Sequence, residues 1–268
     1  MVNAGAAVDQ GVVGMVLDLQ GAGHLLEKGK PAKLQLLSYL KPKMELKLDA
    51  GSKVSLSLYA TRSVYQVTGP AVLEVGADQL TMLQGAAPVV KSMAEKLVVA
   101  AETTSIMPGA YRMRSFVPRI VLTTPENGIV LLKSRPTFSW DVEEEASYEI
   151  TLQEQPDRMI VSAKVTDASW QLPADVALEY GKAYHWTVSY TSPSDGKNYS
   201  AISGFSLASK ATADEVAALK PAASASIEEW IMYAAVLQNR QMREEARTAW
   251  QFIVTLRPDL RKAQELAR

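Results

Sequence analysis

The side chains that could do chemistry in this chain are few and scattered. It has two histidines and no cysteine, which excludes thiol nucleophiles, disulfides and thiolate metal sites, so a transition-metal site would have to be rich in carboxylates. His185 stands between Tyr184 and Trp186 on an alternating run, shares neither neighbour's face, and has no carboxylate pattern around it. His24 follows Gln20-Gly-Ala-Gly23 near a turn and lacks a second ligand. Gly21-Ala-Gly23 has part of the glycine spacing of a dinucleotide loop, but it sits among strands and no helix with a third glycine follows, so a hairpin turn is the simpler reading. Ser203-Gly204 lacks the glycine two residues before the serine that a nucleophile elbow needs. Glu143-Glu-Glu145 reads as a solvated turn between strands. No nucleophile, base and orienting group can be assembled by spacing, and the sequence predicts a protein that is not an enzyme and uses no metal or cofactor.

Aromatic residues offer binding rather than catalysis. Trp140, Tyr148, Trp170, Tyr184 and Trp186 fall in one β-rich stretch. Trp140 and Tyr184 suit core positions, whereas Trp170 and Tyr190 are the rings a glycan or peptidoglycan would stack on. A second group, Trp230, Tyr233, Ala234, Leu237, Ala246, Trp250 and Pro258, has the spacing of two antiparallel helices with close-packing alanines. A lone hairpin of that kind cannot bury its own apolar face, so Trp230, Tyr233, Trp250 and Ile253 are the expected docking core for a protein partner, in this chain or another.

The elements that must position these residues fall into three regimes. The length of 268 residues allows two domains or three small ones. From about Gly11 to Met113 short runs with period-two alternation predict strands: 12–17, 32–37, 44–48, 53–59, 65–67, 72–75 and 80–83. Val54, Leu56 and Leu58 alternate with Lys53, Ser55, Ser57 and Tyr59, which predicts one inward face and one facing water. Lys91 to Thr103 suits either a strand or a helical turn. Leu40-Lys-Pro-Lys-Met44, Leu48-Asp-Ala-Gly-Ser-Lys-Val-Ser-Leu56, Tyr65-Gln-Val-Thr-Gly-Pro-Ala-Val-Leu-Glu-Val75 and Gly85-Ala86 together resemble the FecR-like domain of bacterial envelope proteins. The resemblance implies a rolled or sandwich β domain and an envelope setting. The cytoplasmic anti-sigma segment and membrane helix of the name-giving members are not found in this sequence.

Beyond Arg112 to Pro118 the signals are those of a two-sheet sandwich. Strand-like runs at 135–140, 146–152, 159–165, 169–172, 185–190 and 201–207 carry an early Trp140 and a Tyr184 placed for a corner, where its hydroxyl would satisfy backbone of the preceding connection. This stretch resembles a fibronectin type III or immunoglobulin-like module, and the lack of a cysteine pair favours the fibronectin-like form. After Ser209 come a short helix over Lys210 to Lys220, a linker, and a helix capped by Ser226 with Glu228 and Glu229 in its first turn. Asn239 can end that helix, Gln241 to Leu256 supplies the next, and a third begins at Leu260. The arrangement resembles one tetratricopeptide unit and the start of its capping helix.

These readings predict a multidomain, mainly β protein: an N-terminal rolled or sandwich β domain over 1–115, an Ig-like sandwich over 116–208, and a C-terminal α-helical hairpin over 209–268. A net charge of −1 gives no general pull toward nucleic acid or anionic lipid. No apolar run is long enough for a transmembrane helix. Residues 1–10 lack the basic and apolar parts of a signal peptide and read like a mature start after a removed export signal, in keeping with a periplasmic or otherwise exported protein. The expected function is that of a noncatalytic cell-envelope scaffold or adaptor that binds a protein partner or its own copy, and the alternative is a glycan- or peptidoglycan-binding protein.

Overall fold

A computed structural model describes residues 11–27, 29–93, 97 and 119–268. The chain is mainly β, with a C-terminal group of helices. It divides into two compact units: Met1–Met107, Leu219–Asn239 and Glu245–Arg268 make the first, and Pro108–Ala218 with Arg240–Glu244 the second. The helical segment expected as a separate third domain is thus shared out, most of it joining the first β body.

Two five-stranded antiparallel sheets form the β part of the first unit. One runs in the order β10 (Val89–Ser92), β7 (Ser63–Thr68), β6 (Lys53–Leu58), β1 (Gly14–Gln20), β4 (Tyr39–Leu40). The other runs β3 (Lys30–Lys33), β2 (Gly23–Glu27), β5 (Glu45–Leu48), β8 (Ala71–Val75), β9 (Leu80–Gln84). Alternate residues Val54, Leu56 and Leu58 meet Leu46, Leu73 and Val75 in one buried cluster, as period-two patterning requires. The run 32–37 departs from its expected strand after Lys33: Leu37 takes a positive φ of 64°, its N–H donates to Val16 O (2.9 Å), and Leu34 and Leu36 plug the core from a loop. Gly21-Ala-Gly23 is not a hairpin turn. It carries the chain from β1 in one sheet to β2 in the other, and at Gly21 (φ +86°) a Cβ would lie 2.5 Å from Ser52 Oγ. The alternative of strand or helical turn over 91–103 falls mostly outside the described residues, with Lys91 and Ser92 inside β10.

The second unit is a sandwich. Strands β11 (Ile120–Thr124), β13 (Thr137–Val142) and β16 (Ser169–Gln171) form one sheet. The other has the order β12 (Ile129–Leu131), β18 (Asn198–Leu207), β17 (Ala183–Thr191), β14 (Tyr148–Glu154), β15 (Arg158–Val165), with β12 parallel to β18. Between the sheets Phe138 meets Trp186 edge-on (centroids 5.1 Å), and Trp140 lies 6.4 Å from Trp186. Tyr184 makes the expected corner: its hydroxyl accepts from Glu179 N–H (2.8 Å) and contacts Glu179 O (3.3 Å). Helix α1 (Lys210–Leu219) follows.

Helices α2 (Ile227–Asn239), α3 (Arg243–Leu256) and α4 (Arg261–Leu266) complete the fold. Ser226 Oγ accepts from Glu229 N–H (3.3 Å), the N-cap contact its residue type favours. Helix α2 is buried on every side: Ile231, Met232, Ala234, Val236 and Leu237 are fully enclosed. A helix apolar all round belongs in a core, and this one packs against β1.

Candidate functional site

The hairpin's seat on the first unit is built from polar residues of a sheet face that alternation alone would give to water. Ser55, Ser57 and Tyr59 are all buried, because α2 and its neighbours cover the outer face of β6. Glu228, in the first turn of α2 and only 7% exposed, accepts from Ser55 Oγ (3.0 Å) and Gln66 Nε2 (3.1 Å) with Oε1. A register shift in β1 between Val16 and Asp18 sets Asp18 opposite Ser55, the kind of re-aiming a bulge provides. From there Asp18 accepts from Arg257 Nη1 (2.7 Å), just past the end of α3, while Asp259 grips the same guanidinium through both carboxylate oxygens (2.8 and 2.7 Å). These carboxylates raise the pKa of Arg257, Asp259 most, and Arg257 in turn lowers that of Asp259.

The expected docking residues lie inside this assembly. Trp230 and Tyr233 are each 6% exposed, and Trp250 and Ile253 are fully enclosed. Trp230 packs against Phe252 with the rings tilted by 50° (centroids 4.4 Å) and donates through Nε1 to Ala222 O (3.2 Å). Burial raises the Tyr233 pKa, with Glu245 adding to the effect. The apolar face expected to need a covering surface, in this chain or another, is therefore covered within the chain, because the sheet supplies the neighbour that an adjacent repeat would supply.

On the sandwich the structure does not bring Trp170 and Tyr190 together as a platform. Trp170, on β16, leans on the core against Phe138 (5.4 Å). Tyr190, on β17, is 4% exposed, with its ring against Tyr148 (5.6 Å) and Tyr199 (5.7 Å) and its hydroxyl donating to Glu144 Oε1 (3.1 Å). Glu144 is thus not a solvated member of the 143–145 run. Hydrogen bonds from Ser192, then Ser194 and Tyr190, hold its carboxyl below the usual range. Arg119 covers the Tyr199 ring at 5.1 Å and reaches Glu143 (3.8 Å) and Glu144 (3.9 Å). Tyr199 donates to Asp195 Oδ2 (2.6 Å), which, with a bond from Lys197 N–H, lowers Asp195 to about 2. Every one of these groups is occupied by its neighbours, so the cluster ties loops together.

The opposite face of the same sheet carries an open trough of about 670 Å³, lined by Lys164, Glu149, Ser189, Thr191, Asn198 and Ser200. Registry aligns Lys164, Glu149, Ser189 and Ser200 as one row across β15, β14, β17 and β18. Tyr148, Tyr190 and Tyr199 also border it. Their rings belong to the core side, as strand alternation demands. The row was readable in outline, since Glu149, Thr151 and Gln153 alternate with Tyr148, Ile150 and Leu152. The pairing that aligns it with Lys164 and Ser200 is a long-range property. His185 sits further along this face with Nε2 2.5 Å from Gln153 Oε1, and His24 is exposed on β2 opposite Lys33 and Lys47. Among the described residues no group of three or more His, Asp or Glu is placed to hold a metal ion, and no helix is long and apolar enough to cross a membrane.

No family model matches the chain, and no curated protein sequence does. Among solved structures it is similar to the fibronectin(III)-like modules of Clostridium thermocellum CbhA, at 12% identity over 33% of this chain and 94% of that one, with a TM-score of 0.25.

Proposed function

We propose that this chain is a noncatalytic scaffold or adaptor of the bacterial cell envelope that binds a protein partner. The observation that carries the reading is the exposure of the apolar side chains Leu83, Val89 and Val90, since the hairpin itself is enclosed and keyed to the first β body by Glu228 and Arg257. The hairpin, which resembles a unit of partner-recognising repeats, packs within the first unit except for Arg240–Glu244. The envelope setting and export rest on the resemblance of residues 40–86 to FecR-like domains. In keeping with it, Gly51 sits in a turn at φ +77° and Gly69-Pro70 leads into β8.

A partner has to meet residues the fold leaves outside. In the first unit these include Leu83, Val89 and Val90 on β9 and β10, each more than half exposed, whereas Trp230, Tyr233, Trp250 and Ile253 become accessible only if the hairpin leaves its seat. Photo-crosslinking side chains placed singly at Leu83, Val90, Trp230 and Ile253, in the full chain in cells, separate the two cases. Adducts to one protein from Leu83 or Val90 support a partner on the outer surface. Adducts from Ile253 support an opened hairpin. Absence of any protein adduct from all four positions refutes the protein-partner reading.

A further inference from the structure

The polar trough on the sandwich is independent of the hairpin and of the protein-partner reading. Its floor is the middle of a sheet: β14 is paired on one side with β15 and on the other with β17, and β17 with β18. Backbone donors and acceptors of the inner strands are consumed by the ladders, and β15 ends the sheet, so an extended peptide adding as a strand would lie along the outer edge of β15 and not over the row. Recognition has to come from side chains, and those offered are hydroxyls, one amide, one carboxylate and one ammonium. The tyrosines that border the trough, Tyr148, Tyr190 and Tyr199, pack their rings against the core, and outside its lining Ile202, two residues beyond Ser200 on the same face, is 68% exposed.

Two groups in the row have capacity to spare. The side-chain ammonium of Lys164 has no hydrogen-bonding or ion-pair partner among the described residues. Glu149 accepts only a long contact from Ser162 Oγ (3.4 Å), leaving most of its acceptor positions open. A carboxylate with one oxygen open and the other only weakly engaged matches a pair of neighbouring hydroxyls, each donating to one oxygen. Lysine and asparagine donors, flanked by serine hydroxyls, match the ring and hydroxyl oxygens beyond. With strands about 4.8 Å apart, the four-strand row is roughly 14 Å long, which favours an extended ligand lying across the strands.

We propose that this trough is a binding site for a neutral, polyhydroxylated glycan, gripped by hydrogen bonds from the Glu149–Lys164–Ser189–Ser200 row with Ile202 beneath a C–H face of the sugar. It is not the aromatic stacking site expected of Trp170 and Tyr190. Side-chain recognition without a stacking ring implies weak binding, so NMR is the suitable assay.

The test uses the full chain, isotope-labelled, titrated to millimolar concentrations with cellohexaose, chitohexaose and a soluble peptidoglycan digest, and with an acidic and a basic hexapeptide as controls. The expected result is saturable shifts of the backbone amides of Glu149, Ser189 and Ser200 with at least one oligosaccharide. Affinity should fall about tenfold in Glu149→Gln, which keeps the side chain's shape but loses the charged acceptor. The variant Trp170→Phe should bind as the parent does, and an unchanged spectrum away from the trough shows that Glu149→Gln is folded. The proposal is overturned if no oligosaccharide shifts these amides, if Glu149→Gln binds as tightly as the parent, if Trp170→Phe abolishes binding, or if only the peptides bind there.

Discussion

Replacing Glu228 with alanine should release the hairpin's seat while leaving the sandwich untouched. The parent carboxylate is nearly enclosed and accepts from Ser55 Oγ at 3.0 Å and Gln66 Nε2 at 3.1 Å. Hydrogen bonds to a charged acceptor contribute about 1.5–3 kcal/mol each, and a carboxylate in the first turn of a helix adds about 0.3–1 kcal/mol. Against that, the alanine variant no longer pays for burying a charge, and half-buried Gln66 can turn to water, so the net loss is about 3 kcal/mol. With a urea slope near 2 kcal/mol/M, the midpoint for the first unit falls by about 1.5 M. Two units make a single two-state fit inappropriate. Hydrogen exchange followed by mass spectrometry across a urea series resolves them: peptides from β1 and β6 should lose protection at lower urea, and peptides from β14 and β17 should not. Ser55→Ala alone should cost about 1–2 kcal/mol, and the double variant should show a coupling of about 1 kcal/mol or more. A shift of the first unit below about 0.3 M, or additivity within about 0.3 kcal/mol, refutes the reasoning.

Two further outcomes probe the sandwich. Tyr184→Phe removes the hydroxyl that accepts from Glu179 N–H, and it should cost the second unit about 1–2 kcal/mol in the same exchange experiment, with the first unit unchanged. Tyr199→Phe removes the largest cause of the depressed Asp195 pKa, so the carboxyl should titrate upward from about 2 toward the ordinary value near 3.9, read by carbonyl NMR. Because the folded pKa lies below the unfolded one, the parent's contribution from Asp195 is present above about pH 4 and is lost as pH falls toward 2; in Tyr199→Phe that loss should be smaller.

What the sequence disclosed and what it hid divide along local and long-range physics. The corner role of Tyr184, the cap at Ser226, the helix end at Asn239 and the alternation of Val54, Leu56 and Leu58 depend on neighbours a few residues away, and each is found as read. The polar half of that same strand misled: Ser55 and Ser57 look like solvent-facing residues, and only a helix arriving from more than 170 residues downstream buries them. Likewise Trp230 and Trp250 give no sign of which surface covers them. Glu228 and Glu229 look alike as first-turn acids favoured by the helix dipole. The fold gives Glu228 to the sheet, while Glu229 supplies the N–H that meets the cap. At the trough, the alternation of Glu149, Thr151 and Gln153 is legible, but Lys164 and Ser200 join Glu149 and Ser189 through strand registry alone.

A single helical hairpin without repeats normally lacks the neighbour that hides its second face. Here a β-sheet takes that role, and the chemistry of the contact explains how the sheet can. Small side chains at Ser55 and Ser57 let α2 approach closely, and the apolar burial around Ile231, Met232 and Trp250 supplies most of the stabilisation. Apolar contacts alone would tolerate a slide of the helix by one turn, about 5.4 Å. Such a slide would carry the Glu228 carboxylate away from both Ser55 and Gln66, leaving an enclosed charge without partners at a cost of several kcal/mol. The two polar contacts therefore select one register out of several that hydrophobic packing would accept. That is why a carboxylate occupies a position where, for stability alone, a leucine would serve as well.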